Sequence, residues 1–259
     1  MNHASLFSGI GGFDLAAEWM GWTNVFNCEW EEFPRKVLKH HFPNATQYGD
    51  IRELRASAYA GRIDILTGGF PCQPYSLAGK RKGKEDERHL WPEMLRIVRE
   101  CSPRWVVGEN VRGLVNWNGG LVFEEVCADL ETCGYSVQPF LLPACGVGAP
   151  HRRDRVWFVA YSDSIGQERG TRREQAQERP QPFDKFFEGW DRVQNADNFH
   201  NMAEPPICGG DDGLPRVLDG ITFSKWRRES IKAYGNAIVP QVAFQIFKAI
   251  NLYENGPRI

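Results

Sequence analysis

The stretch "ASLFSGIGGFDLAAEWMG", residues 4–21, decides the fold. Residues 4–7 read as a strand. Residues 8–12 hold three glycines and read as a tight turn. Residues 13–20 read as a helix, and Gly21 is a natural stop. A strand that enters a glycine-rich turn and leaves as a helix is the opening unit of a parallel α/β sheet.

The same rhythm continues outward. Strands are predicted in "TNVFNCEW", "IDILTGG", "RWVVGEN" and "RVWFVAY". Helices are predicted in "PRKVLKHHF", in "WPEMLRIVREC" with Pro92 in its first turn, and around Phe123, Val126, Cys127 and Leu130, ending at Gly134. The alternation implies a mostly parallel sheet with helices on both faces. After Tyr161 the chain becomes polar and nearly free of aliphatic residues, too poor to build a core of its own. Order returns where Val239, Val242, Ala243, Ile246, Phe247 and Ile250 mark one face of a helix. The expected division is 1–161, 162–230 and 231–259.

The 259 residues are 42% hydrophobic and 25% charged, which suits a large core plus a smaller lobe. No apolar run approaches a membrane span, and the first residues lack a signal-peptide pattern. A soluble, cytoplasmic protein is expected. Seven cysteines without a CxxC pair argue against a disulfide framework and against a zinc site, and no metal is expected. The formal net charge of −2 disfavours nucleic acid weakly, but basic residues bunch at 80–84, 152–155, 169–173 and 227–232.

Ligands of parallel sheets bind beyond the carboxyl ends of the strands, and the chemically unusual residues fall there. "FSGIGGF" brings backbone close to a ligand but departs from GxGxxG, so a dinucleotide is not favoured. Glu29 ends the next strand about 20 residues on and suits two ribose hydroxyls. Trp30 suits an adenine face, and Asp50 in "GDI" its amino group. Cys72 in "GGFPCQPYS" is held between Pro71 and Pro74, which stiffen the chain on either side. Glu109 ends an apolar strand, an expensive place unless it is paired or used. "HRRDR" feeds the last strand of this region.

The ordered set "LFSGIGGF", "EW", "GDI", "GGFPCQPYS", "GENVRGL", "HRRDR" and "GNAIVPQVA" closely resembles the DNA (cytosine-5) methyltransferase family, in a short bacterial or phage/prophage-type form. The resemblance spans residues 3 to about 160 and returns at 230–250. It implies a Rossmann-like S-adenosylmethionine-dependent methyltransferase fold with a small irregular target-recognition lobe. It implies S-adenosyl-L-methionine as cofactor, with Phe7, Gly9, Gly11, Glu29, Trp30, Asp50, Ile51, Pro71, Leu90 and Asn236 around it. It implies methyl transfer to carbon 5 of a flipped-out cytosine, with Cys72 as nucleophile, Glu109 on the ring nitrogen, and Arg155 and Arg153 on the base's carbonyl oxygen. Ordered water would serve as the base at carbon 5. Ser76 and Arg88 become DNA contacts in a lid drawn from "SLAGKRKGKEDER". His151 departs from the family's usual glutamine. The implied partner is double-stranded DNA, with a restriction endonuclease encoded nearby and a monomer as the default. Two competing readings are an RNA cytosine methyltransferase, disfavoured by "PCQPYS", and a non-catalytic DNA-binding relative, which loss of Cys72, Glu109 or Arg155 would have signalled.

Overall fold

A computed structural model describes residues 1–71, 90–162 and 225–255. The strands are β1 (Asn2–Leu6), β2 (Thr23–Cys28), β3 (Thr46–Tyr48), β4 (Ile65–Gly68), β5 (Trp105–Val111), β6 (Tyr135–Pro143) and β7 (Asp154–Ser162). The α-helices are α1 (Gly12–Trp19), α2 (Glu32–His41), α3 (Trp91–Cys101), α4 (Leu121–Thr132), α5 (Lys225–Asn236) and α6 (Pro240–Asn255). The strands form one sheet in the order β3-β2-β1-β4-β5-β7-β6. The first five run parallel, and β7 lies antiparallel between β5 and β6. The order reverses between β1 and β4, which opens a crevice at the carboxyl ends of those strands.

The mostly parallel α/β sheet is as the sequence predicts, with two additions. β3 is three residues long, too short to leave a periodic signal. β6 contains Pro139, which argues against a central strand, but β6 is the sheet edge and proline is tolerated there. The boundary expected at 230/231 falls inside α5, which begins at Lys225.

Alternation along each strand sorts the core into two layers. Leu66, Val106 and Phe158 face Met94, Ile97 and Val98 of α3 and Val126 and Leu130 of α4. Ile65, Trp105, Val107, Trp157 and Val159 face the other way, onto Phe13, Ala16 and Ala17 of α1 and Val242, Ile246, Phe247 and Ile250 of α6. The apolar face predicted for the last helix is therefore buried against the start of the chain. The Phe247 ring lies 4.9 Å from Trp22 and 6.4 Å from Phe13. Full burial of each such ring stabilises by about 1.5–3 kcal/mol. Glu254 fixes the far end of α6 by accepting from Arg104 Nη1 at 2.6 Å and Trp105 Nε1 at 2.9 Å.

The segment before α6 touches the first turn of α1 directly. A Cβ at Gly12 would lie 2.5 Å from Ile238 Cγ1. Gly12→Ala is therefore expected to lower stability by about 1–3 kcal/mol. Combination with Ile238→Ala should recover part of the loss, as read in urea denaturation midpoints.

Candidate active site

The crevice has two halves. The first is built at the ends of β1, β2 and β3. β1 stops at Leu6, one residue earlier than predicted, because Phe7 adopts φ 51. A left-handed phenylalanine costs of order 1–3 kcal/mol and persists only where its surroundings enforce it. Gly9 (φ 55) and Gly11 (φ 88) complete the reversal into α1. At Gly11 a side chain is excluded twice over, by conformation and by Phe42 Cε2, 2.3 Å from where a Cβ would stand. At Gly9 nothing lies within 4 Å of that position, so its surface faces open space.

Glu29 leaves the end of β2 and ties this turn to the sheet. Its Oε2 accepts from Gly9 N–H at 2.8 Å and its Oε1 from Glu31 N–H at 2.8 Å. Burial pushes its carboxyl above the ordinary range, against those same N–H donors. Each oxygen keeps a lone pair for another donor. Trp30, next in the chain, is 69% exposed, an apolar face without core to cover it. Asp50 Oδ1 accepts from Arg52 N–H at 2.9 Å, which orients the carboxylate locally. Ile51 is buried in the core beneath it. Arg96 of α3 pins this loop: Nη2 donates to Ile51 O at 2.7 Å and Nη1 to Leu54 O at 2.9 Å. Leu90 packs partly buried at the head of α3.

The second half is built at the ends of β4, β5 and β7. Phe70 is buried, with its ring 5.0 Å from Trp91 and 6.2 Å from Phe158. Its carbonyl accepts from Asn110 Nδ2 at 2.9 Å. The chain is thus fixed through Phe70, and half-buried Pro71 follows it. Cys72, Ser76 and Arg88 lie outside the described residues.

Glu109 is 8% exposed, and its Oε1 lies 3.0 Å from Arg155 Nε. The two are diagonal neighbours on one face, since Glu109 is opposite Trp157 and Val111 opposite Arg155. Burial raises the Glu109 carboxyl to about 7, and Arg155 and Arg153 oppose that rise. Glu109 Oε2 faces Gly69, 3.3 Å from where a Cβ would stand there. The backbone three residues before Cys72 therefore runs directly past this carboxyl.

Arg153 does something the sequence does not predict. It takes φ 38, and its Nη2 donates to Gly235 O at 3.0 Å and Ala237 O at 2.7 Å. These carbonyls bracket the exposed Asn236, so Arg153 is engaged in holding the returning segment. Arg155 is the arginine brought to Glu109. Beside them Asp154 accepts from Arg112 at 2.8 Å and Arg152 at 3.0 Å. His151 is exposed on the same approach. Lys232 of α5 also reaches the first half, donating to Glu31 Oε1 at 2.7 Å. No cluster of three or more metal-ligating side chains occurs among the described residues. No helix among them is long and apolar enough to cross a membrane.

The family model for C-5 cytosine-specific DNA methylases matches residues 1–204. The chain belongs to that family. It is 39% identical over 161 residues to the Type II methyltransferase M.NgoBI of Neisseria gonorrhoeae, covering 62% of this chain and 50% of the relative. It is 35% identical over 161 residues to M.HhaI of Haemophilus parahaemolyticus, covering 62% and 49%. M.HgiCII of Herpetosiphon aurantiacus aligns over 97% of this chain and 53% of its own length at 29% identity. The chain thus spans about half the length of these curated relatives. Among solved structures, a prophage-encoded protein of E. coli assigned as a DNA modification methyltransferase superposes with a TM-score of 0.55 at 26% identity, over 64% of this chain and 48% of that one. The S. pombe Dnmt2 methyltransferase shares the fold across 98% of this chain and 99% of its own, with a TM-score of 0.62 at 14% identity.

The position of Glu109 sets a pH dependence. A carboxyl raised from 4.5 to about 7 in the folded state holds a proton that the unfolded chain has already released. Stability from this group is present below 4.5 and is lost as pH rises through 7. Glu109→Gln should therefore gain stability on wild type by about 3 kcal/mol between pH 4.5 and 7 and stay level above it. Urea unfolding of both proteins across that range checks the difference.

Proposed function

We infer that this protein transfers a methyl group from S-adenosyl-L-methionine to carbon 5 of a cytosine flipped out of double-stranded DNA. The observation that carries the reading is the buried Glu109–Arg155 pair beside the chain that leads into Cys72, in a member of the C-5 cytosine-specific family.

The first half of the crevice fits a nucleoside cofactor. Glu29 offers lone pairs for ribose hydroxyls, Trp30 an uncovered aromatic face, and Asp50 a locally oriented carboxylate. Phe7, Gly9 and Gly11 shape the turn for the methionine end, with Ile51, Pro71, Leu90 and Asn236 around it. When bound, the cofactor supplies an electrophilic methyl group and leaves as S-adenosyl-L-homocysteine.

Carbon 5 of cytosine is a poor nucleophile. The Cys72 thiolate forms a bond to carbon 6, and the electron pair displaced from the ring's double bond makes carbon 5 nucleophilic. Glu109, poised near neutrality, donates a proton toward ring nitrogen N3 as charge develops there. Arg155 holds Glu109 in place and presents its guanidinium to the base's carbonyl oxygen. Arg153 acts at one remove, by fixing Gly235 and Ala237 around Asn236. After methylation, loss of the carbon 5 proton to ordered water returns the electron pair, and the sulfur–carbon bond breaks. Extrusion of the base costs a few kcal/mol, which the basic segment from Ser76 to Arg88 would offset through phosphate contacts. Residues 1–161 would form the catalytic lobe, 162–230 the target-recognition region, and 231–259 the returning segment. The relatives' Type II names support a nearby restriction endonuclease, and the setting would be the cytoplasm of a bacterial or phage-infected cell, with the protein a monomer.

The test is transfer of labelled methyl from S-adenosylmethionine to unmethylated DNA and, separately, to RNA. Label is expected in DNA alone, absent with Cys72→Ser and reduced about 10²–10⁴-fold with Glu109→Gln. Label confined to RNA, or none from a folded, cofactor-binding protein, would sink the reading.

A further inference from the structure

A chain of buried polar groups lies beneath the 7–11 turn, and the reaction scheme above does not use it. It begins at Cys28, whose N–H donates to Ser8 Oγ at 3.2 Å. Ser8 Oγ lies 2.7 Å from Ser5 Oγ, and Ser5 Oγ donates to both oxygens of Asp14, at 2.9 and 3.1 Å. Ser5 and Asp14 are fully buried and Ser8 nearly so. Each hydroxyl has one proton to give. Ser5 gives its own to Asp14, which leaves Ser5 Oγ free to accept from Ser8. Ser8 in turn accepts from Cys28. Ser8 Oγ also lies 3.1 Å from Ser5 O and 3.2 Å from Cys28 O, so its one proton has three acceptors in reach. Burial raises the Asp14 carboxyl to about 7, and in its ionised form it is the acceptor for Ser5.

The backbone of the turn hangs on the same residues. Ser8 N–H donates to Cys28 O at 3.1 Å, and Gly11 N–H to Ser8 O at 2.9 Å. Ser8 is therefore held on three sides, immediately between left-handed Phe7 and left-handed Gly9.

Asp14 is itself fixed from behind. Its carbonyl accepts from Asn24 Nδ2 at 3.0 Å. Asn24 Oδ1 then accepts from His3 Nδ1 at 2.6 Å, so His3 Nε2 is the acceptor for the Thr67 hydroxyl at 2.9 Å. Burial keeps His3 neutral by lowering it to about 4, which preserves that tautomer. The relay runs from β4 through β1 and α1 to the end of β2.

We propose that Asp14 is a positioning residue for the methyl donor: through Ser5 and Ser8 it holds the 7–11 turn in the strained shape that accepts the cofactor. The proposal rests on the cofactor assignment made above. Loss of the terminal acceptor frees Ser5 Oγ to rotate away from Ser8, leaves the Ser8 hydroxyl with the Ser5 and Cys28 carbonyls alone, and so loosens the turn that keeps Phe7 left-handed. Affinity for the cofactor then falls, while the groups that act on the base are untouched.

Calorimetric titration with S-adenosylhomocysteine tests this on the full chain, alongside thermal melting and the KM and kcat of methyl transfer. Asp14→Ala and Ser5→Ala, measured below their melting temperatures, should bind about tenfold more weakly and raise the cofactor KM with kcat little changed. Asp14→Asn keeps an acceptor oxygen and should restore affinity to within about threefold of wild type. Folded Asp14→Ala and Ser5→Ala proteins that bind within twofold of a binding wild type would overturn the proposal alone. Failure of both to fold would assign the relay to stability and overturn it as well. A wild type that does not bind the compound overturns the cofactor reading, and this proposal with it.

Discussion

The turn from Phe7 to Gly12 is the constraint on which the rest of the molecule depends. β1 is a central strand with partners on both sides, so its direction is fixed. The chain must then reverse within a few residues to lay α1 back across the sheet. It does so through three left-handed residues, one of them a phenylalanine. The reversal sets Phe13 on Trp157 and Phe247, and so decides where α6 can dock. It also aims the Gly9 N–H at Glu29. Core and crevice are two sides of one backbone bend.

The second half of the site obeys a different rule. A carboxyl buried within β5, two residues before the strand ends at Val111, is unfavourable by several kcal/mol if ionised and alone. Here it is opposed by one arginine in contact and a second nearby, and it settles near neutrality. The environment is neither dry enough to keep Glu109 a permanent acid nor polar enough to keep it a permanent base. A group of that kind can give a proton and recover it.

Much of this was legible in the sequence because the strand–turn–helix rhythm is carried by glycines and aliphatic runs with strong local meaning. The ends of α3, for instance, are read directly from "WPEMLRIVREC". Glu29 and Glu109 stand out because an acid beside an apolar run is chemically conspicuous, although β5 continues past Glu109 to Val111 through its pairing with β7. Other features leave no local mark. β6 is masked by Pro139, whose cost vanishes only at an edge, and edge position is a property of the whole sheet. The partner of each arginine in "HRRDR" cannot be told from spacing; the left-handed turn at Arg153 sends it to a segment some eighty residues later. Asp14 sits between Phe13 and Leu15 and reads as one polar residue on a helix. That an acid occurs on the buried side of α1 was the available signal, but its meaning needs Ser5 and Ser8 in place.

The grip of Arg153 on Gly235 and Ala237 has a consequence for how such a chain can change over time. It clamps the start of β7 to the last turn of α5 and the residue after it, while β7 itself is locked between β5 and β6. The described chain on either side of residues 163–224 is therefore joined by this one side chain. For a loop so anchored, doubling the length costs only about 0.6 kcal/mol of closure entropy. A change in the number of residues between two points joined in this way thus has little thermodynamic consequence.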